Sequence, residues 1–281
     1  MIRTVLSILI FLLSFMLNGQ ASANEIQAQN REQQIAEKLA LVVDADEIVS
    51  LKASGSRFIG IYQRSRTEES HGVIILVHGM GAHPDWPDVI SPLRMQLPEF
   101  GWSTFSLQMP ILSPEESIAE YGKTLKVAEN RLYAAVDYLH AWDIDPIILL
   151  GYSFGAAQAA SYLASDKNEN NKNIKAFVSV SMLAQKFIRP NLNVFKLIGE
   201  INIPILDIYG EEDLGDVRRG IDDRRLAASK NSNDAFRQIE LKHAGHNYLG
   251  VEMALVQQIQ HWLQQTLPVI DQSRENYEIS P

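Results

Sequence analysis

Hydrophobic and polar positions along the chain follow two alternating periods. Val73-Ile74-Ile75-Leu76-Val77 is an unbroken apolar run, as expected of a parallel strand covered on both faces. Comparable strand patterns occupy Ser103–Gln108, Ile147–Leu150, Ala176–Val180, Ile205–Tyr209 and Phe236–Leu241. Ahead of them, Glu47–Ala53 and Arg57–Arg64 flank the turn signal Ser54-Gly55-Ser56 and predict a hairpin. Helical periods lie between the strands. Ile118, Tyr121, Leu125, Ala128, Leu132, Val136 and Leu139 recur at three- and four-residue steps and predict one long amphipathic helix. Phe154–Ala164 is rich in alanine, small on nearly every side, and suited to burial close against a sheet. Val251, Leu255, Ile259, Trp262 and Leu263 mark a last helix. Strand–helix alternation of this kind predicts one mostly parallel sheet with right-handed crossovers and helices on both faces.

The first 23 residues do not fit that pattern. Arg3 is followed by the apolar run Val5–Leu17 and then by Ala21-Ser22-Ala23, the arrangement of a secretory signal peptide cut before Asn24. Thirteen helical residues rise only about 20 Å, short of a hydrocarbon core of about 30 Å, so a cleaved signal is expected rather than a lasting membrane span. Residues 24–46 are polar and Gln-rich, a leader or a first helix. Residues 47–268 then make one domain, and 269–281 a flexible tail. Export to the periplasm or beyond the cell follows as an expectation.

Composition narrows the chemistry. The 281 residues carry 25 Lys+Arg against 34 Asp+Glu, 46% hydrophobic residues and no cysteine. A net charge of −9 argues against a nucleic-acid partner, which requires a basic face for phosphates. The missing cysteine removes disulfides, thiolate metal sites and a thiol nucleophile.

Within the domain, Gly151-Tyr152-Ser153-Phe154-Gly155 is a G-x-S-x-G sequence placed after a strand and at the head of a helix. That is the setting of a nucleophile elbow, in which a strained turn exposes Ser153 beside a helix N-terminus. His78-Gly79-Met80-Gly81 follows the strand Val73–Val77, and its Met80 amide, with that of Phe154, is the expected oxyanion pair. His78 itself reads as a hydrogen-bonded structural residue. For the general base, His246 is preferred to His243, since His246 sits farther along the loop at the strand's C-terminal end. For the orienting acid, Asp213 in Gly210-Glu211-Glu212-Asp213 is preferred to Glu212 and Asp216. The segment Ser181-Met182-Leu183-Ala184 after the preceding strand offers no carboxylate. Asp207, inside its strand, reads as structural. Arg218, Arg219, Asp222, Asp223, Arg224 and Arg225 read as a solvated helix face.

Over residues 72–267 the chain resembles the α/β-hydrolase superfamily, with nucleophile, acid and histidine in that superfamily's order, Ser153, Asp213, His246. The sequences His83-Pro84-Asp85-Trp86-Pro87, Pro92-Leu93-Arg94 and Gly101-Trp102-Ser103-Thr104 are similar to an uncharacterised bacterial family within it. The resemblance implies an α/β-hydrolase fold with about eight strands and an antiparallel N-terminal edge formed by the hairpin. It also implies that no cofactor is needed.

The reaction expected is hydrolysis of an ester, thioester or amide in a small-molecule or acyl-ester substrate, through an acyl-enzyme. A catalytically silent binding or scaffold protein of the cell envelope is the alternative, and a non-hydrolytic use of the same triad is a third. Residues 182–204 are apolar enough for a lid helix, but a crossover helix packed on the sheet is the expectation. Asp85 and Trp86 either shape the pocket or cap the following helix.

Overall fold

The structure is a computed structural model that describes residues 27–165, 173–184, 186–187, 192–230 and 235–267. The expected signal segment 1–23 and tail 269–281 lie outside the described residues, as do residues 166–172.

Eight strands form one sheet in the order β1-β2-β4-β3-β5-β6-β9-β10. The hairpin is β1 (Ile48–Ala53) and β2 (Ser56–Gln63), and β2 runs antiparallel to β4 (Trp102–Leu107). The other neighbours, β3 (Gly72–Val77), β5 (Ile147–Tyr152), β6 (Ile174–Val180), β9 (Ile205–Glu212) and β10 (Phe236–Gly245), pair in parallel. A two-residue ladder, β7 (Lys186–Phe187) with β8 (Leu192–Asn193), stands apart. This is the α/β-hydrolase fold, with the antiparallel edge where the hairpin was expected.

The apolar runs explain the layering. In β3, Val73, Ile75 and Val77 face one core, while Ile74 and Leu76 face the other. The first core is closed by α4 (Leu125–Ala141), α5 (Phe154–Leu163), α6 (Val194–Glu200) and α8 (Ile221–Lys230); the second by α2 (Ile90–Gln96) and α9 (Glu252–Thr266). Nearly every side chain of α5 is buried, as its alanines require. Helix α6 fills the crossover between β6 and β9 and buries Val194 and Ile198 in the first core, so this part of 182–204 packs as a crossover helix.

Three features differ from the sequence reading. The long helix expected from Ile118 is divided into α3 (Ile118–Lys123) and α4, because the Thr124 amide and hydroxyl both bond to the Tyr121 carbonyl, at 3.0 and 2.7 Å. That carbonyl would otherwise serve Leu125. Second, Arg224 does not lie on a solvated face. It is completely buried, its Nε donating to Asp207 at 2.8 Å and its Nη1 to the carbonyls of Met182 and Val217. Third, the stretch read as a leader or a first helix is a helix over residues 27–39 (α1), and it packs on the domain ahead of the expected start at residue 47. Ile35, Leu39 and Val43 pack against Ile61 of the hairpin, and Glu32 is buried against Arg131.

Candidate active site

The chain reverses its order across the sheet at β3, which has β4 on one side and β5 on the other. Loops at such a switch point open a crevice above the strands' C-terminal ends. Ser153 leaves β5 into that crevice with φ +56° and ψ −119°, a conformation rare for a side chain with a Cβ. The strain is held by neighbours on both sides. The Ser153 amide donates to the Val180 carbonyl at 2.8 Å. A Cβ at Gly155 would lie 2.2 Å from the Val77 carbonyl oxygen, and one at Gly151 would lie 2.5 Å from Ala156 Cα. Glycine at both positions lets β3, β5 and α5 close to this distance.

The acid and the histidine come from β9 and β10, whose pairing extends three and four residues beyond the expected strand ends, to Glu212 and Gly245. Gly210 sits so close to the Ala244 carbonyl that a Cβ there would lie 2.3 Å from its oxygen. β10 bulges between Leu241 and Gly245. Within the bulge His243 takes φ +58° and turns to solvent, its Nδ1 4.0 Å from Glu211. His246 is delivered the other way. Its Nε2 lies 3.1 Å from Ser153 Oγ and its Nδ1 lies 2.7 Å from Asp213 Oδ1. Of the other acids weighed, Glu212 is exposed, and Asp216 is ion-paired with Arg219 on α7 (Gly215–Arg219).

Asp213 is surrounded by donors. Oδ1 accepts from the Leu214 amide at 2.8 Å as well as facing His246; Oδ2 accepts from the Gly210 amide at 3.0 Å and from the Ser181 hydroxyl. Burial pushes its carboxyl pKa up, but the hydrogen bonds from His246, Ser181 and Gly210 outweigh burial and leave it below the ordinary carboxylate value. Tyr152 supports the histidine from beneath. Its ring centroid lies 5.3 Å from that of His246, and its hydroxyl donates to the His246 carbonyl at 3.2 Å.

The His78–Gly81 loop runs beside the serine, close enough that a Cβ at Gly79 would be 3.2 Å from Ser153 Cβ. Met80 at its tip is 44% exposed, and Phe154 opens α5 with its ring edge-on to Tyr121. His78 is buried, its Nδ1 bonded to the Gly79 carbonyl at 2.8 Å and its Nε2 accepting from the Met109 amide at 3.0 Å. Burial depresses its pKa to about 3, so the ring is neutral and structural. Asp85 does not cap α2, which has no side-chain cap; it pairs with buried Arg94 at 2.8 Å. Among the described residues no group of three His, Cys, Asp or Glu side chains is placed to hold a metal ion.

Sequence reasoning did not find Ser181, Tyr152 or Tyr248 as members of this network. Tyr152 lies inside the G-x-S-x-G motif and Tyr248 two residues after the histidine, but hydroxyls carry no spacing signal of their own.

Several solved structures share this architecture. Est1E from Butyrivibrio proteoclasticus superposes with a TM-score of 0.62 at 14% identity, covering 79% of this chain and 99% of that one. Dienelactone hydrolase from Anabaena variabilis gives 0.59 at 20% identity, covering 78% and 96%. A lidless α/β serine hydrolase from Xanthomonas campestris gives 0.59 at 13% identity, covering 79% and 96%. At such identities the likeness is one of fold. No curated protein matches the chain. A family model described as "Protein of unknown function (DUF3530)" matches residues 16–124 and 113–265, nearly the whole chain, and the protein belongs to that family.

Proposed function

We propose that the protein is a serine hydrolase that transfers an acyl group from an ester-type bond to water. The observation that carries this reading is the continuous hydrogen-bonded line from Ser153 through His246 to buried Asp213, mounted on a strained glycine-flanked turn. In this mechanism Ser153 Oγ attacks the substrate carbonyl carbon while His246 Nε2 takes the hydroxyl proton. Asp213 fixes the tautomer that carries hydrogen on Nδ1 and stabilises the imidazolium. The carbonyl oxygen becomes an oxyanion, held by the backbone amides of Met80 and Phe154. The intermediate collapses as His246 returns the proton to the departing alkoxide, leaving Ser153 acylated. Water, deprotonated by His246, then releases the acid and restores the hydroxyl. Structural neighbours named as a dienelactone hydrolase and a serine hydrolase support a hydrolase reading. Hydrolysis of p-nitrophenyl esters from acetate to octanoate by residues 24–281 tests this. Turnover that disappears in Ser153→Ala supports it, and equal rates in the two proteins contradict it.

We further propose that the protein acts outside the cytoplasm. Arg3, the Val5–Leu17 run and Ala21-Ser22-Ala23 support this. Among the described residues no helix is long and apolar enough to cross a membrane. N-terminal sequencing of the exported protein should begin at Asn24, and an intact Met1 on soluble cytoplasmic protein would contradict export.

A further inference from the structure

Behind Asp213, on the side away from His246, lies a pair of hydroxyls that the reaction does not itself require. Ser181, at the end of β6, donates to Asp213 Oδ2, and its Oγ lies 2.9 Å from the Tyr248 hydroxyl. Because the serine hydrogen is committed to the carboxylate, the Tyr248 O–H is the donor in the second bond. Its only other acceptor among the described residues, the Ile208 carbonyl, stands at 3.5 Å. We propose that Tyr248 and Ser181 form a hydroxyl chain that positions the Asp213 carboxylate and sets how strongly it binds the His246 imidazolium. This rests on the hydrolase reading above and concerns how its acid is held.

Two observations support a dedicated arrangement. Both residues are fully buried, so each hydroxyl lies where an unpaired polar group is costly. Both have left-handed backbones, φ +51° at Ser181 and +55° at Tyr248, and for a residue as bulky as tyrosine that is an outlier.

The four acceptor positions of Asp213 are divided in two. Oδ1 serves His246 and Leu214, and Oδ2 serves Gly210 and Ser181. A chain of donors ending on Oδ2 polarises along its length and draws negative charge away from Oδ1. Without it the charge concentrates on the oxygen facing the imidazole. His246 should then hold its proton to higher pH, and the carboxylate is less firmly placed. Other groups face the network. Asp207 of β9, paired with Arg224, lies near Tyr248, and Asp88, ahead of α2, lies near Tyr152 of β5, whose ring lies tilted against His246. All are retained in the variants below, so their influence is common to every protein compared.

The test is the rate of Ser153 modification by a fluorophosphonate probe as a function of pH, which needs no knowledge of the substrate. Wild type, Ser181→Gly and Tyr248→Phe are compared. Glycine accepts φ +51° without strain, so Ser181→Gly removes the hydroxyl and its two hydrogen bonds without adding a backbone penalty. Its acid limb should rise by about half to one pH unit, with a plateau rate about tenfold lower. Tyr248→Phe should move the limb the same way by less. Limbs that coincide with that of a reactive wild type, even in variants that melt earlier, would make the hydroxyls structural and overturn the proposal while leaving the hydrolase reading intact. A folded wild type that does not react at all overturns both.

Discussion

Arg131 Nη2 lies 2.6 Å from Glu32 Oε2 in a pair with both side chains buried, linking α4 to the N-terminal helix across 99 residues. The pair is the centre of a wider clasp. Glu32 also accepts from the Ile111 amide at 3.0 Å, and Arg131 donates to the Gln108 carbonyl at 2.9 Å. Met109, between them, donates to His78 at the base of the loop that carries Met80. Helix α1 therefore braces the segment after β4 and, through His78, one wall of the site. Removing one member of such a pair strands a buried charge. Glu32→Ala is expected to destabilise the protein by about 3 kcal/mol or more in urea unfolding, and adding Arg131→Met should recover part of the loss. A change below about 1 kcal/mol would show that α1 is not a working part of the domain.

Gly155 tests the elbow. Its α-carbon faces the Val77 and His78 carbonyls, where a methyl would lie 2.2 and 2.5 Å from oxygen, and neither α5 nor β3 can yield without moving Ser153 or the His78 loop. Gly155→Ala is expected to lower the rate of Ser153 modification about a hundredfold, measured on protein whose circular dichroism still shows the fold. An unimpaired rate would mean the close approach of α5 and β3 is not needed.

The buried His78 gives a pH dependence of stability. Its folded pKa of about 3 lies below its ordinary 6.5, so between these values the unfolded chain binds a proton that the folded chain does not. Stability is therefore full above pH 6.5 and falls as pH drops, by up to about 1.4 kcal/mol per unit. Asp213 acts in a lower range: its pKa is depressed, so its contribution is present above the ordinary carboxylate value and is lost as pH falls through the folded one. Urea midpoints from pH 7 to 4.5 should decline in wild type and decline less in His78→Gln, which keeps one donor and one acceptor at the site. Parallel curves would contradict a neutral, buried His78.

Asp213→Asn should keep the fold and place an amide against His246. Because an amide can present a donor where the imidazole needs an acceptor, the wrong tautomer is favoured and turnover should fall by about 10⁴. Esterase rates of the purified variant, compared with those of Glu212→Gln, measure this. Glu212→Gln should remain active because Glu212 is exposed and outside the hydrogen-bonded line.

Much of this arrangement was legible in the sequence because its signals are local. The run Val73–Val77 has no polar face, so it had to be a strand buried on both sides. Gly151 and Gly155 bracket Ser153 directly after an apolar strand run and ahead of an alanine-rich helical run, the setting of a tight strand-to-helix turn. His246 could be preferred to His243 from its place in the loop, but the reason is the bulge between Leu241 and Gly245, which depends on β9 as its neighbour. The features that stayed hidden are tertiary. Arg224 looks like its exposed neighbour Arg225 in sequence; only the position of Asp207 on β9 draws it into the core. Glu32 sits in a polar, Gln-rich stretch, a buried charge whose partner is on a distant helix. The break at Thr124 interrupts an otherwise regular helical period through one hydroxyl and one amide aimed at a shared carbonyl.

The central claim is that Ser153 is a nucleophile activated by His246 across 3.1 Å. Intact-mass and peptide analysis of the folded protein after fluorophosphonate treatment tests it most directly. One adduct is expected, on the peptide containing Ser153, absent in Ser153→Ala and formed at least a hundredfold more slowly in His246→Ala. An unmodified Ser153 in folded wild-type protein, or an adduct rate unchanged by loss of His246, would contradict it.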